Sequence, residues 1–408
     1  MNRPEVLCPA GTPEKLRAAV RFGADAVYLS GKDFGLRAGA GNFDAQELSE
    51  AISFCHSRGV KAYLTLNTMP RADEYDRLRR YIAAVNELGP DAYIVADPGV
   101  MDTLHEICPD AVIHVSTQTS VVSPAAAESY MRHFNARRVV LARELSLQEI
   151  KYIRKNVSAE LELETFVHGA MCVSWSGRCL LSNHFTGRDG NRGECAQPCR
   201  GNYRLYELRE ERDDSRRPGI EQTDEGTFIM SSRDLCMIEH VPELYEAGIA
   251  SFKIEGRMKS VYYAAVTALV YKKATVSYAA DPDHYENDPE LLRMLNSVTH
   301  RKYDTGYYFA DPGVDAKTVD EPGYLTERPY YGIVVGYDGL TGVARIKQKN
   351  KVVSAQTVRF LTPDGETAPF RITELTDEDG QSLISTPHPG MIYGIKVPYP
   401  VGEGDILH

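Results

Sequence analysis

The sequence predicts an α/β protein: a TIM-type (β/α)8 barrel followed by a small C-terminal antiparallel β-barrel domain. Three observations predict it. Short apolar runs alternate with amphipathic helical stretches through residues 1–280, the signature of parallel strands with helices packed outside. The apolar runs number eight, and eight β/α units in that length match the usual barrel size. Most runs also end in a polar side chain, as at Tyr28, Asn67, Asp97, Gln118, Arg143, His168 and Glu255. Barrels of this type place their chemistry at strand C-terminal ends. An open doubly wound sheet would need neither eight runs nor polar ends on each.

The elements follow in order. EVLCPAG (5–11) precedes an amphipathic PEKLRAAVRFG (13–23), and ADAVYLSG (24–31) precedes AQELSEAISFCHSRG (45–59). VKAYLTLNT (60–68), AYIVADPG (92–99) and VIHVSTQTS (112–120) are the next strands, separated by helices at 75–89 and 101–108. PAAAESYMRHFN (124–135) leads to RRVVLAREL (137–145), and LQEIKYIRKN (147–156) to LELETFVHGA (161–170). A helix is expected over LCMIEHVPELYEAG (235–248), then an eighth strand, ASFKIEGR (250–257), and a closing helix over 258–280. Residues 281–327, rich in Asp, Pro, Gly and Tyr, read as a linker. From 328 to 408, runs such as YYGIVVGYDGLTGVARIKQ (330–348) are punctuated by Asp-Gly and Pro, as in antiparallel β-structure.

Composition narrows the class. With 43% hydrophobic and 25% charged residues the chain reads as globular. It shows no signal-peptide core and no apolar run long enough to span a bilayer, so a cytoplasmic location is expected, with thiols reduced. A net charge of −11 argues against non-specific coating of nucleic acid, yet leaves room for a local basic cleft.

The insertion at 170–235 concentrates chemistry. GAMCVSWSGRCLLSNHFTGRDGNRGECAQPCRG (169–201) holds four of eight cysteines, Cys172, Cys179, Cys195 and Cys199. It lies between the seventh and eighth strands, on the catalytic face. So many glycines and charges build no apolar core, and metal ligation is a physical way to hold such a loop. Structural zinc favours two tight knuckles, and only Cys195 and Cys199 approach one; iron–sulfur clusters accept varied spacing. Spacing alone leaves zinc and a cluster level, with simple burial of small thiols as the plain alternative. Cys236 is a spare fifth candidate; Cys8, Cys55 and Cys108 sit in apolar contexts. Arg178, Arg188, Arg192, Arg200, Arg204, Lys253, Arg257 and Lys259 add local positive charge suited to carboxylates or phosphates. Position at the barrel mouth nominates Arg143, Glu164, His168 and Glu255 as catalytic groups, and Arg37, Asn67, Gln118 and Arg257 as substrate-binding groups. No HExxH or GxSxG motif is present, although His168 is close enough to Cys172 in sequence for a Cys–His dyad.

ETFVHGAMCVSWSGRCLLS (164–182), with LCPAGTPEKLRAAVRFGADAVYLSG (7–31), RGECAQPCR (192–200) and SFKIEGRMKSVYY (251–263), resembles the signature of the collagenase-like peptidase family U32. The resemblance covers essentially the whole chain. It implies an oxygen-independent RNA hydroxylation protein with a 4Fe–4S cluster on Cys172, Cys179, Cys195 and Cys199, Cys236 being the alternate ligand, and it favours the cluster over zinc. Length, the ECAQPCR segment and the C-terminal domain look most like members that help make 5-hydroxyuridine at the wobble position of tRNA, with prephenate as co-substrate. The implied partners are tRNA and an electron donor or partner protein. A 23S rRNA hydroxylation protein, a collagenase-like peptidase and a non-catalytic metal-binding scaffold subunit are the alternatives.

Overall fold

Helix starts are written into the chain as capping residues. Thr12, Asp44, Asp97, Ser123, Ser146 and Ser260 each accept a backbone N–H at the start of a helix, each cap stabilising by roughly 1 kcal/mol. The helices are α1 (Pro13–Arg21), α2 (Ala45–His56), α3 (Tyr75–Asn86), α4 (Pro98–Ile107), α5 (Pro124–Phe134) and α6 (Leu147–Lys155). Asp97, read as a mouth residue, is therefore the cap of α4. The computed structural model describes residues 3–36, 38–172, 174–200, 221–223, 226–228, 233–309, 325 and 329–408.

Between the helices run β1 (Glu5–Pro9), β2 (Ala26–Leu29), β3 (Lys61–Leu66), β4 (Ala92–Val95), β5 (Ile113–Val115), β6 (Ala136–Val140), β7 (Glu162–Ala170) and β8 (Ser251–Ile254). They pair in parallel in chain order, and β8 hydrogen-bonds both β1 and β7, so the barrel is closed. All eight lie where the sequence places them. The sixth ends early: after Val140 the chain turns into the loop that lifts Arg143 to the mouth.

The structure corrects one helix. Asp234–Cys236 is a short strand, antiparallel to the last three residues of β7, with Cys236 opposite His168. β7 is nine residues long, and its end leaves the barrel wall to make this pairing. Gly169 permits the departure: its φ is +107°, and a Cβ there would collide with the Glu255 carbonyl. The apolar run Leu235-Cys236-Met237 reflects burial on both faces of a strand, which imitates a helix pattern. Helix α8 covers only Val241–Glu246, beyond α7 (Leu181–Thr186) in the cysteine segment.

Of the stretch expected as a linker, residues 281–309 pack on the barrel. Helix α10 (Pro289–Asn296) buries Leu291, Met294 and Leu295, and Arg301 makes a buried 2.6 Å ion pair with Asp234. The Tyr308 phenol donates to the Phe166 carbonyl at 2.7 Å. Helix α9 (Val261–Ala280) is buried around nearly its whole circumference because barrel, α10 and C-terminal domain enclose it.

The C-terminal domain is a seven-stranded antiparallel sheet whose central strands are Gly332–Asp338, Val343–Gln348 and Ile392–Lys396. Val334, Ile346, Phe360, Tyr393 and Ile395 form its own core. It docks through Arg21 on Asp405, Lys347 and Lys349 on Glu14, and the His408 ring against Tyr262. Among the described residues, no helix is long and apolar enough to cross a membrane.

Candidate active site

Two layers inside the barrel behave differently. Deep in the barrel, Glu164 is fully buried and bonded to Lys253 Nζ at 2.7 Å and Arg138 Nη1 at 3.0 Å; Arg138 also reaches Glu5 and Glu162. Burial alone would raise the Glu164 carboxyl, but Lys253 and Arg138 hold it below the usual carboxylate range. Removing one member of such a network leaves an uncompensated buried charge, at a cost of about 3–5 kcal/mol.

Above this layer the mouth opens into a small cavity of about 70 Å³. Asn67, Gln118, Arg143, Glu255 and Arg257 line it, and Lys253 forms part of its floor. Gln118, Arg143 and Glu255 also border a second cavity of about 560 Å³, within the range of small-molecule sites. Cys172, Cys179, Cys195 and Cys199 all line that second cavity, half-buried and free of disulfides.

The cysteine segment is fixed to the rim by polar contacts. Arg143 donates to the Ala170 carbonyl at 3.2 Å and to Ser176 Oγ at 2.6 Å, while its Nε has no partner among the described residues. Gly177, with φ +74°, lies so close to Gln118 that a Cβ would fall 2.6 Å from Oε1. Asn191 Nδ2 donates to the Cys179 carbonyl at 2.8 Å, and Ser182 Oγ bridges the Arg188 carbonyl and the Ala196 N–H. Arg192 makes a bidentate pair with Glu74 at 2.9 Å and donates to the Met69 carbonyl at 2.6 Å.

The structure thus gathers Arg143, Gln118 and Glu255 with the four cysteines, and places Asn67 and Arg257 in the adjoining smaller cavity. It does not gather Glu164 or His168. Glu164 serves the interior ion network and reaches the mouth only through Lys253. His168 is buried among the rings of Tyr263, Tyr271 and Tyr303, and burial lowers its imidazole to about 3, so it is neutral. Cys236 is likewise off the cavity, its thiol pushed up to about 12 by burial. Arg37 and Arg204 lie outside the described residues. Lys253, read from the sequence as one of the positive charges around the segment, is placed in the lining of the smaller cavity. The alternation in SFKIE (251–255), which turns Lys253 and Glu255 to one side of the strand, is the signal that marks it.

Among the described residues, no three His, Cys, Asp or Glu side chains are gathered closely enough for a single metal ion. The four thiols line one shared space without converging on a single point, and thiolates are soft donors suited to zinc or to iron–sulfur centres.

Two family models match: peptidase family U32 over residues 11–318, and the peptidase family U32 C-terminal domain over residues 327–408. The chain belongs to peptidase family U32. This U32 chain is 38% identical to tRNA hydroxylation protein P1 of Bacillus subtilis, over 97% of its own length and 92% of the relative's. It is 33% identical to tRNA hydroxylation protein P of Escherichia coli, over 98% and 94%. A collagenase of Porphyromonas gingivalis is 31% identical, over 85% and 83%. The peptidase name of the U32 family finds little support in this site. A thiol nucleophile needs an adjacent base, and His168, the base the sequence offers to Cys172, is enclosed by tyrosines.

Proposed function

We propose that the protein is an RNA-modifying enzyme that hydroxylates tRNA without molecular oxygen, forming 5-hydroxyuridine at the wobble position. In this reading a 4Fe–4S cluster is held by Cys172, Cys179, Cys195 and Cys199, and prephenate is the co-substrate. One observation carries it: four thiols share a cavity with Arg143, Gln118 and Glu255 at the open end of the barrel. The full-length relatives named for tRNA hydroxylation support the RNA class over proteolysis.

When bound, the cluster supplies redox and Lewis-acid chemistry. The chain's own residues do the rest. Arg143, held by Ala170 and Ser176, brings to the cavity wall a guanidinium charge suited to a carboxylate. Asn67, whose Oδ1 accepts from the Leu36 N–H at 3.2 Å, turns its amide group toward the mouth. Gln118 and Glu255 offer hydrogen-bonding groups where the two cavities meet, suited to a base edge or a transferable proton. A target uridine reaches this depth only when flipped out of its stack.

Nucleoside mass spectrometry of tRNA from a deletion strain tests the substrate: 5-hydroxyuridine should disappear and return on complementation. Unchanged tRNA with altered 23S rRNA would move the target to the ribosome. Anaerobic iron and sulfide determination tests the centre, and one zinc with no iron would reject the cluster. Modification persisting with all four cysteines replaced would reduce the segment to a scaffold.

A further inference from the structure

We propose that Trp175 is the platform on which a base of the RNA substrate stacks as it enters the cavity. The inference rests on the RNA reading above and adds a recognition residue to it. Trp175 is the only tryptophan in the chain, and it lies inside the cysteine segment, three residues after Cys172. A large indole in an otherwise polar loop would ordinarily turn inward. Here it is 43% exposed while lining the 560 Å³ cavity. Neighbouring apolar groups are exposed too: Met258 lines the same cavity, and Leu180 and Phe185 project from the same segment. Exposed apolar groups at a cavity rim, here Trp175 and Met258, suit a binding surface.

Charge selects the kind of partner. Among the described residues, the cavity wall carries Arg143, Arg188 and Lys259, the last also paired with Asp234 at 3.6 Å, and the carboxylate of Glu255, on a chain whose net charge is −11. Arg178, in the same segment, is exposed. An aromatic face flanked by guanidinium groups is how proteins hold single-stranded nucleic acid, the bases stacking while the cations follow the phosphates. A purely apolar partner would make no use of this charge.

Position gives the contact a purpose. The backbone just after Trp175 is anchored, because Ser176 accepts from both Arg143 and Ser120, and Gly177 abuts Gln118. The indole is therefore carried on a rigid rim, so a base stacked on it is held next to the mouth residues.

Because the indole is unique, its emission reports the contact directly. Titrating an anticodon stem-loop RNA with an unmodified wobble uridine into the purified protein should quench Trp175 fluorescence in parallel with RNA binding measured by anisotropy. Trp175→Ala should weaken that binding by roughly 5- to 100-fold, with iron content unchanged, and Trp175→Phe should stay within about threefold. An RNA that binds wild type and Trp175→Ala equally, with no change in indole emission, overturns the stacking assignment and leaves the tRNA reading standing. A wild-type protein that binds no RNA overturns both.

Discussion

The eight cysteines divide into two sets of four with opposite surroundings. Cys8, Cys55, Cys108 and Cys236 are buried, and burial raises each thiol, to about 12 for Cys55 and Cys236. Cys172, Cys179, Cys195 and Cys199 are half-buried around one cavity. The same side chain acts as a small apolar filler in one set and as an available soft donor in the other. What differs is the surrounding backbone: strands and helices for the first set, a glycine- and charge-rich loop for the second.

The sharpest test of that division is chemical labelling of metal-free native protein. A thiol raised to about 12 holds roughly a thousandfold less thiolate than an ordinary one at the same pH. Iodoacetamide should therefore modify the cavity set rapidly and spare Cys55 and Cys236 until the chain unfolds. Peptide mapping that finds Cys236 labelled first would break the comparison.

Single alanine replacements come next. Losing any cavity cysteine should lower bound iron and 5-hydroxyuridine together by at least about 100-fold, since even changes to the outer partners of metal ligands reach that size. Calorimetry of the same variants should show little change for the metal-free barrel. The buried set should do the reverse: Cys236→Ala should keep its iron and lose about 1–2 kcal/mol of stability.

The last effect emerges only as pH is lowered and concerns the residue paired with Cys236. His168 takes up its proton near pH 3 when folded and near 6.5 when unfolded. Between those values the unfolded chain binds the extra proton, so stability falls as pH drops, by at most about 1.4 kcal/mol per unit. His168→Phe should flatten this slope in denaturant titrations and leave iron content alone. A change in iron content would return His168 to the metal site.

Much of the architecture was legible because strand, cap and turn chemistry are local. Capping residues such as Asp44 and Ser146 announce helix starts, and eight apolar runs with polar ends announce a barrel and its mouth. The cavity set of cysteines was legible from the poverty of its surroundings. What misled was depth. Glu164 and His168 occupy the same strand as the route to the mouth, but Glu164 sits at its third position, facing Arg138 from the next strand. His168 lies where β7 has begun to leave the wall. Neither the length of β7 nor its antiparallel companion is a local property, since both depend on residues 234–236 arriving from across the insertion. Arg192 was misread for a related reason: its partner Glu74 is far away in sequence, so a charge that looked free for substrate is spent on holding the fold.

That Arg192–Glu74 clasp matters for how the protein is made. No sulfur takes part in it, nor in the Asn191 and Ser182 contacts around it. Ion-pair and hydrogen-bond contacts alone thus moor the stretch around Cys195 beside the barrel rim. Under the proposed function, an incoming metal centre would meet a segment already docked on the rim.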